Sequence, residues 1–137
     1  MNNRINSPAP VGQGSDVASG DILAREPVAN RAQVKHILIG WKELESAADQ
    51  RAQARTKQDA EAHVKSLVTQ IEAGADFDML MKEHSEDPGS AAFARAYPVS
   101  PDAQLVIEFK QLALRLNVGE VGVVESDYGF HIMKRVE

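Results

Sequence analysis

Hydrophobic and polar positions along the chain follow two different periods, which predict strands at both ends and helices between them. The run from Gln33 to Ile39 is mostly apolar and β-branched and is interrupted by Lys35 and one histidine, His36, and this predicts a central strand. Near the other end, Gly129 to Val136 has the same character and carries His131. If the two strands pair, two imidazoles meet in the middle of one sheet, and the residues between them form the cover of a pocket.

Three stretches between these strands have apolar residues at helical spacing. Thr56 is a suitable N-cap for the first helix, which Gly74 ends. Asp76 can cap a shorter second helix, and the turn sequence Asp87-Pro88-Gly89 stops it. A third, long helix is predicted from about Asp102. The apolar stripes of the three helices are Ala60, Val64, Leu67, Val68 and Ile71; Phe77, Leu80, Met81 and His84; and Leu105, Val106, Phe109, Leu112, Ala113 and Leu116.

The remaining strand signals are short. Pro98 and Pro101 limit any strand between Phe93 and Pro101 to a few residues, and Val121 to Val124 predicts a strand that a turn joins to the last one. The order is strand, helices, short strand, helix, strand, strand, without an internal repeat. This order predicts an α+β fold, with helices around a small, mainly antiparallel four-stranded sheet.

The N-terminal stretch has a different composition from the rest of the chain. Residues 1–20 are rich in Asn, Ser, Pro and Gly, and they hold too few apolar residues to offset the entropy of ordering them. The next segment, Asp21 to Pro27, has a small apolar patch that could dock on the domain, so its role stays open. We predict a flexible tether over residues 1–31 and one domain over residues 32–137.

Composition excludes several classes of function. The formal charge of −5 argues against a nucleic-acid partner, which needs a basic face, and against binding to a membrane surface. The absence of cysteine excludes disulfides, thiolate chemistry and cysteine-bound metals. No apolar run is long enough to span a bilayer, and no signal-peptide core comes after Met1. The chain is therefore expected in the cytoplasm, or in the cell envelope if an export segment was removed.

Six short motifs occur in order between Ala32 and Glu137, over about three quarters of the chain. They are Val34-Lys35-His36-Ile37-Leu38, Ala73-Gly74-Ala75-Asp76-Phe77, Lys82-Glu83-His84-Ser85-Glu86-Asp87-Pro88-Gly89-Ser90-Ala91, Ile107-Glu108-Phe109, Val118-Gly119-Glu120 and Tyr128-Gly129-Phe130-His131-Ile132. Each motif alone is weak evidence. Together, in this order and near this spacing, they resemble the parvulin family of peptidyl-prolyl cis-trans isomerases.

The resemblance implies a parvulin-like α+β fold with a shallow pocket. It also implies an isomerase that needs no cofactor and assists folding by acting on proline-containing or unfolded protein segments, here as a monomer. Its polar centre would be His36, Asp87, Ser126 and His131, and the wall that holds the proline ring would be Leu105 and Phe109, with Tyr97 as a further wall. Leu105 stands where the family commonly has methionine, and Asp87 stands where it has aspartate or cysteine.

One block departs from the family pattern. Where the family usually has two glycines, an aspartate, a leucine, a glycine and an aromatic residue, this chain has Ala94-Arg95-Ala96-Tyr97-Pro98-Val99. The change affects glycines that favour positive φ and part of the pocket rim. A non-catalytic parvulin-like module that binds peptides or acts as a chaperone is therefore the alternative function, and a purely structural interaction domain is a third.

The residue types suit the isomerisation of an X-Pro bond. Partial double-bond character gives this bond a barrier of about 18 to 20 kcal/mol. A site lowers the barrier if it grips the proline ring and prefers the twisted, less polarised amide, with no covalent step. His36, His131 and Ser126 could form a hydrogen-bonded network that holds Asp87 near the carbonyl. The residues leave open whether Asp87 repels the carbonyl oxygen, polarises the amide or only orders the network, and nucleophilic attack is the least favoured role.

Other interpretations of the same residues are less specific. Two strand histidines can simply satisfy each other in a polar core, and that role is compatible with a catalytic one. A metal site of His36, His131 and Asp87 lacks the usual close ligand spacing, so no metal is predicted. A Ser126-His131-Asp87 hydrolase triad lacks a nucleophile elbow. His63 and His84 are expected to have no role in chemistry.

A long loop comes after the first strand and carries three cations. Arg51, Arg55 and Lys57 could hold a phosphate group on the residue before proline. Acidic residues in the same segment, among them Asp49, would partly cancel a basic field, so a solvated charged face is the preferred interpretation.

Overall fold

The structure of the protein is a computed structural model that describes residues 17–137. The first part of the predicted tether, residues 1–16, lies outside the described residues. The strands are β1 (Ala32–Ile39), β2 (Tyr97–Val99), β3 (Val121–Ser126) and β4 (Gly129–Arg135). The helices are α1 (Gly20–Leu23), α2 (Gln50–Gln53), α3 (Lys57–Glu72), α4 (Phe77–His84), α5 (Pro88–Phe93) and α6 (Ile107–Ala113). Within residues 17–137, no helix combines the length and the apolarity needed to cross a bilayer.

The four strands form one antiparallel sheet in the order β2-β1-β4-β3. This architecture confirms the predicted α+β class and the predicted antiparallel sheet. The two histidine-bearing strands are the central pair, with Leu38 opposite His131 in the register. His36 lies two residues from Leu38, so its side chain shares a face of the sheet with that of His131.

The sheet has an apolar core on each face because successive side chains of a strand point to opposite sides. Ile37 and Ile39 of β1 lie on one face and pack with α3 and α4, including Leu67. Val34 of β1 and Met133 of β4 lie on the other face and pack with α6. The histidines belong to the second face, so the site is built between the sheet and α6.

The two predicted helix starts on the first face are confirmed. Thr56 forms a capping box with Asp59: the Asp59 N–H donates to Thr56 Oγ1 at 3.0 Å, and the Thr56 N–H donates to Asp59 Oδ2 at 3.1 Å. Asp76 accepts from the Asp78 N–H at 2.9 Å. Each such cap contributes about 1 kcal/mol to helix stability. Gly74 lies just beyond the end of α3 with a φ of 103°, the left-handed region that glycine tolerates.

Two helix boundaries near the site differ from the sequence prediction. Asp87-Pro88-Gly89 begins a further helix, α5, because Asp87 caps it and Pro88 occupies its first turn, a position where the missing N–H costs nothing. The third predicted helix begins at Ile107, about one turn later than expected from Asp102. Asp102 is bound to the Ser100 hydroxyl at 2.8 Å instead of capping a helix, which leaves Leu105 in a turn at the pocket rim.

The segment before β1 also differs from the prediction of a tether that reaches residue 31. Ile22 is buried under α6, and Arg25 forms a bidentate ion pair with Glu120 at 2.7 and 2.8 Å. At the free edge of β3, the Ser19 N–H donates to the Val123 carbonyl at 2.8 Å. The packed unit therefore extends back to about residue 17, because one buried isoleucine and one long-range ion pair hold a segment whose composition alone favours disorder.

Candidate active site

The geometry of the site results from the short length of β2. β4 accompanies β1 along most of its length, but on the other side β2 pairs only as far as Val34. Beyond that point, the segment from Ser85 to Ser90 takes the place of a strand and binds the exposed backbone of β1. Ser90 Oγ donates to the His36 carbonyl at 2.6 Å, the Leu38 N–H donates to Ser85 Oγ at 3.1 Å, the Glu86 N–H donates to the Leu38 carbonyl at 2.8 Å, and the Gly40 N–H donates to Glu86 Oε1 at 2.8 Å. These bonds bring Asp87 beside His36.

The four predicted polar residues form one continuous chain of hydrogen bonds. Asp87 Oδ2 lies 2.8 Å from His36 Nε2, the two Nδ1 atoms of His36 and His131 are 3.2 Å apart, and Ser126 Oγ lies 2.7 Å from His131 Nε2. Both imidazoles are buried, and their rings stack with centroids 5.3 Å apart. The structure therefore brings together His36, Asp87, Ser126 and His131, as expected from the sequence.

The protonation states of Asp87 and His131 indicate which group donates in each of these hydrogen bonds. Hydrogen bonds from His36 and then Tyr97 outweigh burial and lower the pKa of Asp87 to about 2, so the carboxylate is ionised at neutral pH. Burial, with a smaller contribution from His36, lowers the pKa of His131 to about 3. With one proton on each imidazole, every ring nitrogen is satisfied if the Ser126 hydroxyl donates to His131, His131 donates to His36, and His36 donates to Asp87.

An aromatic wall stands beside the polar chain. Phe109 is 4% exposed, and its ring contacts those of His36 and His131 edge-on, with centroids 5.1 and 5.4 Å apart. Tyr97 contacts His36 at 5.3 Å and Phe109 at 6.0 Å. Together with partly buried Leu105, they line a cavity of about 610 Å³. The three predicted wall residues thus share one cavity with Asp87 and both histidines.

The three cations of the long loop do not form an open anion site. Arg51 binds both carboxylate oxygens of Asp49, at 3.0 and 2.8 Å, and also the carbonyls of Glu83 and Ser85. Arg55 binds Glu86 at 2.8 Å in a largely buried pair, and Lys57 binds Glu125 at 2.8 Å. None of the three lines the cavity. Their charges are used to attach the loop to the rest of the domain, which differs from the anion-binding role that their spacing allowed.

Sequence reasoning missed the residues that position Asp87. Ser85, Glu86 and Ser90 stand inside the motif around Asp87, but nothing in their types shows that they bind the β1 backbone. Glu86 is nearly inaccessible, and its partner Arg55 lies far away in sequence. A buried glutamate that pairs with a distant arginine is recognised only once the chain is folded.

The second pair of histidines lies away from the cavity. His63 of α3 and His84 of α4 contact each other edge-on with centroids 5.1 Å apart. Burial, and then the nearby positive charge of Arg55, lowers the pKa of His63. Among residues 17–137, no three ligating side chains are close enough together to hold a metal ion.

Comparison with known proteins places this site in context. The family model described as "PPIC-type PPIASE domain" matches residues 21–137. The chain is 32% identical over 130 residues to foldase protein PrsA of Geobacillus kaustophilus, covering 90% of this chain and 46% of the relative. It is 35% identical over 109 residues to chaperone SurA of Pseudomonas fluorescens, covering 78% of this chain and 23% of that protein. The chain thus spans less than half the length of these two relatives.

Solved structures show the same fold. The crystal structure of the peptidylprolyl isomerase PrsA from Bacillus cereus superposes with a TM-score of 0.60 at 28% identity, over 85% of this chain and 38% of that chain. The peptidyl-prolyl isomerase ESS1 from Candida albicans superposes with a TM-score of 0.66 at 24% identity, over 79% of this chain and 63% of that chain. The second likeness bears on the fold alone.

Proposed function

The chain belongs to the family of PPIC-type peptidyl-prolyl isomerase domains, and on this premise we propose that it accelerates rotation about X-Pro bonds in protein substrates and thereby assists their folding. The observation that carries the proposal is the unbroken hydrogen-bonded chain from Ser126 to Asp87, which lies against the Phe109 wall of one cavity. We propose that a monomer suffices, since all of these groups come from one chain.

The catalytic effect is a preference for the twisted amide over the planar one. In the planar amide, conjugation places negative charge on the carbonyl oxygen and makes the C–N bond resist rotation. Phe109, Leu105 and the ring of Tyr97 hold the prolyl ring in an apolar environment, while the residue before proline is free to swing. Such surroundings favour the less polarised twisted form, and each 1.4 kcal/mol of this preference accelerates rotation about tenfold.

Asp87 contributes a fixed negative charge at the edge of this apolar wall. Its pKa of about 2 keeps it ionised, and His36 holds one of its oxygens at 2.8 Å. A carboxylate near the substrate carbonyl raises the free energy of the planar amide more than that of the twisted amide, because the planar form has the more negative oxygen. His131 and Ser126 keep His36 in the tautomer that donates to Asp87. No covalent bond forms or breaks.

The loop geometry defines the substrate more closely. The cavity continues past the proline wall to Ala47, Ala48 and Ala52, and the acidic groups of Asp49 and Glu86 also line it. Among the residues that the structure describes, no lysine or arginine lines it. We infer that the residue next to proline is preferred as an apolar side chain, and that a phosphate or carboxylate at this position gains no ion pair, because the loop arginines are already bound to Asp49 and Glu86.

The proposal is tested by exchange NMR on peptides that contain one X-Pro bond. The protein is expected to broaden the cis and trans signals or to give exchange cross-peaks between them. Asp87→Asn, which keeps the shape of the side chain, is expected to reduce the exchange rate by about tenfold or more, and a tenfold reduction corresponds to roughly 1.4 kcal/mol. Glu72→Gln is a matched control, since Glu72 is an exposed acid at the end of α3. Amide spectra of each variant establish that the fold is retained.

The backbone conformation of Ala94 is the reason to test a non-catalytic peptide-binding module as the second candidate function. Ala94, in the block that departs from the family pattern, has a φ of 49°, a conformation that costs a non-glycine residue about 1 kcal/mol or more. Peptide-induced shifts without faster exchange would favour a peptide-binding module over an enzyme. Neither shifts nor exchange, across apolar X-Pro peptides, would leave a structural interaction domain.

A further inference from the structure

The Asp87 carboxylate accepts a hydrogen bond from a residue outside the network of Ser126, His131 and His36. The Tyr97 hydroxyl donates to Asp87 Oδ2 at 2.8 Å, the same oxygen that His36 Nε2 approaches at 2.8 Å. The other oxygen, Oδ1, accepts from the Gly89 N–H at 3.1 Å. Three donors therefore surround the two oxygens of a partly buried carboxylate.

The fold brings this hydroxyl close to Asp87 through two features. Tyr97 is the first residue of β2 and lies opposite Val34, so its side chain points to the same face of the sheet as His36. Gly89 leaves the space for the hydroxyl, because a Cβ atom at this position would lie 3.3 Å from Tyr97 Oη. The chain has tyrosine here where the parvulin pattern has leucine, a residue that can line a wall but cannot donate a hydrogen bond.

We propose that Tyr97 is a positioning residue of the isomerase site, whose phenol fixes the rotation of the Asp87 carboxylate while its ring lines the proline wall. This inference rests on the proposed function for its effect on rate, but the coupling between Tyr97 and Asp87 can be measured without it. With only His36 on Oδ2 and the Gly89 N–H on Oδ1, the carboxylate plane could still rock about its last torsion, which is broad for aspartate. The Tyr97 hydroxyl is a third donor in a fixed direction, so it narrows the range of that torsion.

Electrostatics agree with this role. A hydrogen bond to an ionised acceptor is shorter and stronger than one between neutral groups. Burial and Asp87 raise the pKa of Tyr97 to about 12, so the phenol stays protonated and remains a donor. The titratable and charged groups around the carboxylate are His36 of β1, His131 of β4 behind it, Tyr97 of β2 with Arg95 nearby, and Glu86, which is paired with Arg55.

Tyr97→Phe is the direct test because it removes only the hydroxyl. The Asp87 carboxyl group, followed by ¹³C NMR titration, is expected to titrate about one pH unit higher, in keeping with the loss of one hydrogen bond to a charged group. The exchange rate at saturating peptide is expected to fall about threefold to tenfold, which corresponds to about 0.7 to 1.4 kcal/mol. The peptide dissociation constant should stay within about twofold, since the aromatic ring is retained.

Two further variants separate positioning from wall packing. Tyr97→Leu restores the residue expected from the family and should add a loss of peptide affinity. Gly89→Ala introduces a methyl group 3.3 Å from the hydroxyl, which has to shift, and 3.6 Å from Asp87 Oδ1, which is an ordinary van der Waals contact. It should therefore raise the Asp87 titration midpoint in the parent protein and have a smaller effect when combined with Tyr97→Phe. In an Asp87→Asn background, Tyr97→Phe should not slow exchange further.

Several results would overturn the inference. An unchanged Asp87 titration in Tyr97→Phe, or an equal loss of rate with and without the Asp87 carboxylate, would show that Tyr97 is only a wall residue. If the parent protein itself fails to accelerate exchange, the proposed function fails, yet the titration and the Gly89→Ala combination still decide whether Tyr97 acts on Asp87. Amide spectra exclude variants that do not fold.

Discussion

The serine that binds the free edge of β1 provides the sharpest test of how the site is built. Ser90 is fully buried, and its hydroxyl donates to the His36 carbonyl at 2.6 Å. It also lies 3.1 Å from Ser85 Oγ. We predict that Ser90→Ala, which keeps the Cβ atom and removes this donor, destabilises the domain and loosens the strand at His36.

The loss of stability expected in Ser90→Ala depends on whether another donor can reach the His36 carbonyl. The backbone of His36 faces away from β4, and β2 ends before reaching it, so within residues 17–137 no strand takes the place of Ser90. Leaving a buried acceptor unsatisfied costs about 1 to 3 kcal/mol. A loss of about 2 kcal/mol would lower the Tm of a domain of this size by roughly 6 to 10 °C. The rate of X-Pro exchange should also fall, because His36 positions Asp87.

Urea unfolding followed by circular dichroism measures the free energy of unfolding, and exchange NMR measures the rate. Ser66→Ala is a matched control on the exposed side of α3, where such a change is expected to stay within about 0.5 kcal/mol. A Ser90→Ala variant that unfolds within about 0.5 kcal/mol of the parent and keeps full activity would refute the idea that this segment replaces a strand.

Three further predictions concern the strap before β1, residues 17–31, and the loop after β1. Arg25 lowers the pKa of Glu120 to about 2, so this carboxylate contributes stability that is present above its unfolded pKa of 4.5 and is lost as the pH falls toward 2. Arg25→Gln should therefore make the free energy of unfolding depend less steeply on pH between 4.5 and 2. An unchanged slope would contradict this prediction. Gly122→Ala should cost about 1 to 3 kcal/mol, because the added Cβ atom would lie 3.1 Å from Ile22 and Leu112 and 3.2 Å from Leu116. The part of this cost that comes from Ile22 should be relieved in an Ile22→Ala background, and an Ile22→Ala background that relieves none of it would count against the docked strap. Phosphoserine-proline peptides should bind no better than serine-proline peptides, in the parent and in Arg51→Ala alike; an advantage that Arg51→Ala abolishes would restore the anion-binding loop.

The two histidines of the polar centre could be predicted from the strand pattern itself, whereas Asp87 and Ser126 are predicted from the resemblance to the parvulin family. A histidine inside an apolar strand is conspicuous, and the sequence has two such strands, but that they are neighbours in the sheet is known only from the structure. Asp87 is identified through its motif. Its role as the cap of α5 is missed, because the same Asp-Pro-Gly sequence can begin a helix or end one, depending on the tertiary contacts of the residues after it.

The loop after β1, for which the sequence allowed an anion-binding role but favoured a solvated charged face, illustrates where local sequence information ends. Arg51, Arg55 and Lys57 look like a basic cluster along the chain. In the folded protein each has a carboxylate partner, and for Arg55 and Lys57 that partner comes from a distant segment. Charge spacing along a loop does not specify such partners, so it cannot distinguish a free basic patch from a set of internal ion pairs.

The amino-acid sequence by itself determined the secondary-structure periods, the α+β class and the two histidine strands, because these depend on side-chain type and local spacing, and the resemblance of its motifs to the parvulin pattern identified Asp87. Only the tertiary structure decided that Ser85 to Ser90 completes the edge of β1, that residues before β1 pack on α6, and that the Tyr97 hydroxyl reaches Asp87. These features depend on which backbone groups are left without a partner once the strands have paired, a property of the assembled sheet that no local stretch of sequence contains.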